Sequence, residues 1–159
     1  MGNSGASLTT LHTVIIPPGS LANNGDYIEG MHGGSYAANA NIKRVVWSIG
    51  GSLFEDTGLI DVRALGWVFL PIITRLTSTS IRVISVFDGG ILQTDSAGAN
   101  TVTGIGGRMN QRISITLTVP NLDLNSLTLL VQGQGTNNDD VTSNLSILKL
   151  YRPRTVISV

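Results

Sequence analysis

Apolar and polar residues alternate along several short stretches of this chain, and clusters of Gly, Asn, Asp and Ser separate the stretches. Arg112–Val119 places an apolar side chain at every second position, with Ser and Thr between them. Ile81–Phe87 alternates as well, with one face formed by Ile81, Val83, Ser85 and Phe87 and the other by Arg82, Ile84 and Val86. A period of two residues is typical of β-strands that have one face in the core. No stretch has a helical period, so the pattern predicts an all-β fold.

The same pattern gives the approximate positions of the strands. We predict strands at Leu8–Ile16, Tyr27–Met31, Ile42–Ile49, Trp67–Leu76, Ile81–Phe87, Arg112–Val119, Leu127–Val131 and Val141–Tyr151, with a short one at Leu53 and Phe54. Pro71 interrupts the most apolar of these stretches and predicts a bulged or edge strand, because proline has no N–H to donate. The Gly- and Asn-rich segments 33–41, 95–107 and 132–140 are predicted loops. A length of 159 residues fits one domain, so we predict a single antiparallel β-sandwich.

Both ends of the chain lie outside this pattern. Residues 1–8 are predicted to form an N-terminal arm, residues 9–151 the sandwich, and residues 152–159 a C-terminal arm. The C-terminal arm is β-prone and almost uncharged after Arg154. It packs on its own domain as a last edge strand, adds a strand to a neighbouring subunit, or frays. In the second case the assembly residues are Arg154, Thr155, Val156, Ile157 and Val159.

Composition narrows the possible partners. Hydrophobic residues make up 42% of the chain and charged residues only 13%, and the formal net charge is zero. The basic residues are scattered rather than clustered, so we do not expect nucleic acid as a partner. The chain has no Cys, which excludes disulfides and thiol chemistry. We see neither a signal-peptide pattern nor a segment of membrane-spanning length.

Residues that could carry chemistry do not converge in this sequence. His12 and His32 lack the spacing of a metal site. Glu55 and Asp56 are adjacent, so in a strand their side chains point to opposite faces and cannot share acid/base work. Asp139–Asp140 could offer oxygens to calcium but lacks the order of a calcium loop. We therefore expect no enzymatic activity, no cofactor and no metal.

Aromatic residues are scarce, at 5%. Trp47 and Trp67 lie among apolar neighbours and are predicted to pack in the core. Tyr27, Tyr36 and Tyr151 lie near predicted strand ends or loops, where they could line a shallow glycan site.

Several short segments come in a characteristic order. They are LANNGDY (21–27), AANANIK (37–43), GSLFEDTG (51–58), GW (66–67), ITR (73–75) and VQGQGT (131–136). Over about residues 10–151, this order resembles small jelly-roll proteins of tailed bacteriophages, which include capsid decoration (cement) proteins, head fibres and tail-fibre tips. The resemblance implies a jelly-roll type of sandwich and a homotrimer. It transfers no functional residues, because the matching positions are turn and core residues.

Two functions follow from this resemblance. The leading hypothesis is a decoration protein on the outer surface of the phage particle, made in the host cytoplasm. There it would bind the major capsid protein, or other virion proteins, and stabilise contacts between shell subunits. The alternative is a fibre domain that recognises a host surface glycan through the three tyrosines.

Overall fold

The computed structural model describes residues 1–61, 66–89 and 110–152. These residues form ten strands and no helix. The strands are β1 (Thr9–Ile16), β2 (Tyr27–Tyr36), β3 (Ile42–Ile49), β4 (Ser52–Asp56), β5 (Ile60–Asp61), β6 (Gly66–Thr77), β7 (Ser80–Asp88), β8 (Asn110–Thr118), β9 (Leu127–Gln134) and β10 (Val141–Tyr151).

The strands pair into two antiparallel five-stranded sheets that pack face to face. One sheet has the order β1-β9-β3-β4, with β5 also paired to β3, and the other has the order β10-β2-β6-β7-β8. The prediction of an antiparallel β-sandwich is therefore confirmed. The jelly-roll type of connection stays a prediction.

The core lies between the sheets, where the alternating strands turn their large apolar side chains inward. In β7 the predicted inner face is confirmed, because Ile81, Val83, Ser85 and Phe87 are all buried. Four aromatic side chains meet at its centre: Trp47 stacks on Phe69 with ring centroids 4.5 Å apart, and it also contacts Trp67 and Phe87. Both tryptophans are thus core residues, as the sequence predicted.

The sequence predicted a bulged or edge strand around Pro71; the edge position is wrong, whereas the strand does contain a register shift. Strand β6 is the central strand of its sheet, and Pro71 pairs with Ser85 of β7. On its other side, the pairing with β2 stops at Glu29 and resumes at His32 with the same register. Pro71, which has no N–H to donate, therefore lies where the hydrogen-bonded pairing of β2 and β6 is interrupted, and we call this interruption the gap in the β2–β6 ladder. A register shift does occur in β6, but it lies between Arg75 and Thr77.

Strand β2 continues through Gly33 and Gly34 to Tyr36, a region that the sequence predicted to be a loop. Gly33 and Gly34 allow neighbouring atoms to pack close to the backbone of β2. A Cβ atom on Gly34 would lie 1.7 Å from the carbonyl oxygen of Thr142 and 2.6 Å from the ring of Trp67. No other residue fits this position without moving the sheet, so these glycines belong to the strand.

The first residues of the chain do not extend away from the domain as an arm. Gly2 forms a bridge with Thr142 at the start of β10, and Asn3 is buried. The Asn3 side chain accepts a hydrogen bond from the Val141 N–H at 2.8 Å and donates one to the Asn137 carbonyl at 3.0 Å. These bonds satisfy buried backbone groups and hold the N-terminus on its own sandwich.

Candidate interaction surface

The outer face of the β10-β2-β6-β7-β8 sheet is rich in exposed apolar side chains. Strands β6 and β7 are apolar on both faces, so one set of their side chains enters the core and the other points outward. Nine outward side chains are between 36% and 45% exposed: Met31, Val68, Leu70, Ile72, Leu76, Ile84, Val86, Leu145 and Ile147. We call this set the outer apolar face. Contiguous apolar surface of this kind commonly marks an interaction site.

A hollow of about 430 Å³ opens near the middle of the outer apolar face. It lies over the gap in the β2–β6 ladder, where Gly30 has no side chain and faces Pro71. Met31, Leu70 and Ile147 contribute to its apolar wall. A Cβ atom on Gly30 would lie 2.8 Å from the Pro71 ring and 2.9 Å from Leu148 on the inner side. The gap is therefore built into the packing of the sheet.

Tyr27 and Tyr151 lie at one end of this sheet, next to Glu29. Their rings are stacked with centroids 4.9 Å apart and planes 9° apart. The Glu29 carboxylate beside the Tyr151 hydroxyl raises the pKa of Tyr151, because it favours the protonated hydroxyl. Tyr36 lies at the opposite end of β2 and is buried, which raises its pKa. The structure therefore brings two of the three predicted glycan residues together and not the third.

The predicted assembly residues of the C-terminal arm are Arg154, Thr155, Val156, Ile157 and Val159, and they lie outside the described residues. The same holds for the predicted loop at 95–107. The described chain ends at Arg152, one residue beyond β10.

Asp140 and Lys43 are buried and belong to a polar cluster with the partly buried Asn39 and Asn41 and the exposed Asn137. Its carboxylate accepts hydrogen bonds from the Asn39 and Asn41 side chains at 2.7 and 2.9 Å and from the Asn137 N–H at 2.7 Å. Burial opposes ionisation of this carboxyl, but the three donors and the charge of Lys43 outweigh it and lower its pKa. These N–H donors occupy the oxygens that a calcium ion would need.

Glu55 and Asp56 point to opposite sides of β4, as predicted. Glu55 is buried, whereas Asp56 forms a salt bridge with Arg44 on the neighbouring strand β3. The hydrogen bond from Arg44 is the main reason that the pKa of Asp56 lies below its usual range. Asp56 also accepts the Gly58 N–H at 2.9 Å, so it links the strand to the turn that follows.

Two further findings concern ion binding and membranes. Within residues 1–61, 66–89 and 110–152, no three or more His, Cys, Asp or Glu side chains are grouped so that they could hold a metal ion. The described part of the chain also has no helix that is long and apolar enough to cross a membrane.

Comparisons with known proteins give no family for this chain. No protein-family model, curated protein or solved structure matches it.

His32 is a buried titratable group behind the outer apolar face. It is fully buried on β2, and its Nδ1 atom lies 2.9 Å from the Ser146 hydroxyl. The His12 ring is 6.4 Å away. Burial, and secondarily the charge of His12, lowers the pKa of His32 to about 4.

We expect His32 to make the domain less stable in acid. The unfolded chain takes up a proton near pH 6.5, whereas the folded chain resists it down to about pH 4, so stability falls as the pH drops through this window. Between pH 7.5 and 4.5 this single group should remove about 2.5 kcal/mol from the free energy of unfolding.

Urea unfolding of the wild type and of His32→Gln at both pH values isolates this contribution, because the carboxylates titrate equally in the two proteins. The wild type should lose about 2.5 kcal/mol more than the variant over this pH range. Equal losses in the two proteins would show that His32 does not carry the effect.

Proposed function

We propose that this chain is a non-enzymatic structural protein of a bacteriophage particle. In this proposal it decorates the outer head surface and stabilises contacts between shell subunits. The observation that carries the assembly role is the outer apolar face. An apolar sheet surface of this extent is costly to leave in water, and packing against protein removes that cost.

The polar side chains of the described residues are used mainly to hold the sandwich together. Asp140 joins its loop to the loop that contains Asn39, which Lys43 also binds. Arg44 and Asp56 join two strands, and Arg75 binds Asp123. This use of polar groups favours a rigid building block that presents its surface to neighbours.

The phage setting rests on the resemblance in sequence, and the structure gives those segments a physical role. In the segment 21–27, Asp26 accepts a hydrogen bond from the Asn23 N–H at 2.9 Å, and Gly25 has a φ of 91°. In the segment 51–58, Gly51 and Gly58 have φ values of 84° and 67°. These are turn positions that favour glycine. These turns support a sandwich architecture shared with the phage proteins that the sequence resembles. The jelly-roll connection of the strands and the homotrimer are part of the same proposal.

The first test is the number of copies of this chain per particle. Quantitative mass spectrometry of purified particles of the phage that encodes it would compare the chain with the major shell protein. We expect a number comparable with that of the shell subunits, because decoration repeats over the whole shell. Absence from the particle would contradict the proposal.

A few copies per particle would instead favour a fibre domain that binds a host glycan. One observation favours this second candidate: the stacked Tyr27 and Tyr151 beside Glu29 offer an aromatic surface and a carboxylate at one end of the sheet. Aromatic faces that carry polar groups suit sugar rings. Binding of the purified protein to a glycan array, and its loss in Tyr151→Ala, would separate this function from decoration.

A further inference from the structure

We propose that the outer apolar face is where a second copy of this chain packs. This inference rests on the proposed assembly role and names the partner of the same surface. Three properties of the surface support a copy of the chain as the occupant: its area, its charges and its shape.

The area matches what a stable contact between two proteins needs. The face extends over four neighbouring strands and over Val68–Leu76 along β6, which is about 14 Å by 26 Å between backbone positions. Side chains extend about 5 Å beyond these backbone positions, because sheets that pack face to face lie about 10 Å apart and each sheet contributes half of that distance. With this border the face measures roughly 24 Å by 36 Å, or about 860 Å², and standard interfaces use about 800 Å² from each partner.

Charged residues of both signs border the apolar side chains. Glu29 and Lys149 are paired positions on β2 and β10, and both line the hollow beside its apolar side chains. Arg82, Asp88 and Arg112 lie towards the opposite edge, on β7 and β8. A surface that carries both signs can pack against another copy of the same chain, because acids of one copy can lie near bases of the other. The whole chain has a formal net charge of zero, so copies do not repel each other at long range.

The shape also suits a second sheet. The outward side chains of β6, β7 and β10 form ridges, and the hollow above Gly30 is an apolar depression between them. When two sheets pack face to face, their side chains interdigitate across the contact. A side chain from the second copy fills the hollow. Ile84 and Ile147 are the most exposed apolar side chains of the outer apolar face, at 43% and 45%.

The test is the association state of the full chain in solution. Sedimentation velocity over a range of concentrations should show the wild type as an assembly of two or more chains. Ile84→Glu and Ile147→Glu should each raise the dissociation constant by about 30-fold or more, because each places a charge in an apolar contact. Both positions are partly exposed in the single chain, so circular dichroism should show that the variants remain folded.

Leu53→Glu is the matched control. Leu53 is 54% exposed, but it lies on β4 of the other sheet. The same change of side chain there should leave association unaltered. A wild type that stays monomeric at about 100 µM would overturn the proposal. So would variants of the outer apolar face that associate as strongly as the wild type.

This test and the particle count can fail separately. A chain that is abundant on particles but monomeric in solution would leave decoration standing and refute the contact between copies. A chain that associates through the outer apolar face but is absent from particles would refute decoration and leave the contact standing.

Discussion

Replacing Trp67 with Ala should lower the free energy of unfolding by about 3–5 kcal/mol. The side chain is 1% exposed and lies edge-on to Trp47, with ring centroids 5.7 Å apart. It also fills the space beside Gly34, where even a Cβ atom would collide with its ring. The Nε1 atom has no hydrogen-bond partner among the described residues. The cost is therefore that of a cavity and lost apolar burial. A domain of this size is stable by about 5–15 kcal/mol, so the loss is a large fraction of the total.

Urea unfolding followed by circular dichroism measures this loss. Trp67→Phe should cost less than Trp67→Ala, because it keeps part of the ring in the same space. Leu53→Ala is the matched control, because Leu53 is 54% exposed and lies on β4, outside the outer apolar face. It should cost less than about 1 kcal/mol. A loss at Trp67 no greater than the loss at Leu53 would show that the ring does not pack in the core.

Much of the sandwich could be predicted from the sequence, because its strands obey a period of two. The bounds Ile42–Ile49 of β3 match the prediction, and the inner face of β7 was identified correctly. The wrong predictions concern glycine and proline, because these residues occur in loops and edge strands but also inside sheets. Gly33 and Gly34 suggested a loop, but the structure uses them to bring two strands and a tryptophan ring close together. Pro71 suggested an edge, but it lies in the central strand beside a gap in the ladder.

The outer apolar face was not predicted, although the sequence contains a signal for it. Trp67–Leu76 is apolar at nearly every position, and Ile84 and Val86 make the second face of β7 apolar as well. A strand that is apolar on both sides has a second surface to cover. Which of the two surfaces faces the core depends on pairing between distant strands, and the order of the sheet supplies that information.

The positions of the tyrosines also depend on pairing between distant strands. Tyr27 and Tyr151 are far apart in sequence and meet only because β2 and β10 pair with Tyr27 opposite Tyr151. Tyr36 belongs to the same strand as Tyr27, but it lies at the other end and is buried. Sequence position alone could not separate these cases, since all three residues lie near predicted ends of strands or loops.

Asp140→Ala should destabilise the domain by about 3–5 kcal/mol, because three donors lose a charged acceptor and a hydrogen bond to a charged group contributes about 1.5–3 kcal/mol, less where water can replace it. Lys43 is fully buried, and its Nζ atom donates to the Asn39 carbonyl and side-chain oxygens at 2.9 Å and to the Asn41 carbonyl at 2.8 Å. The Asn39 side chain in turn donates to Asp140. Removal of the carboxylate therefore leaves the Asn39 and Asn41 side chains and the Asn137 N–H without their charged acceptor.

A double-mutant cycle with Lys43→Met tests whether the two charges act as one unit. If they do, the double variant should be more stable than the sum of the two single losses predicts, by about 1–3 kcal/mol, because Lys43 and Asp140 both bind the Asn39 side chain and the charge of Lys43 favours the ionised carboxylate. Thermal unfolding of the four proteins gives this coupling energy. Lys149→Met is the matched control, since Lys149 is exposed on β10 and should show no coupling to Asp140. Additive losses for Lys43 and Asp140 would mean that the amide hydrogen bonds alone stabilise this cluster.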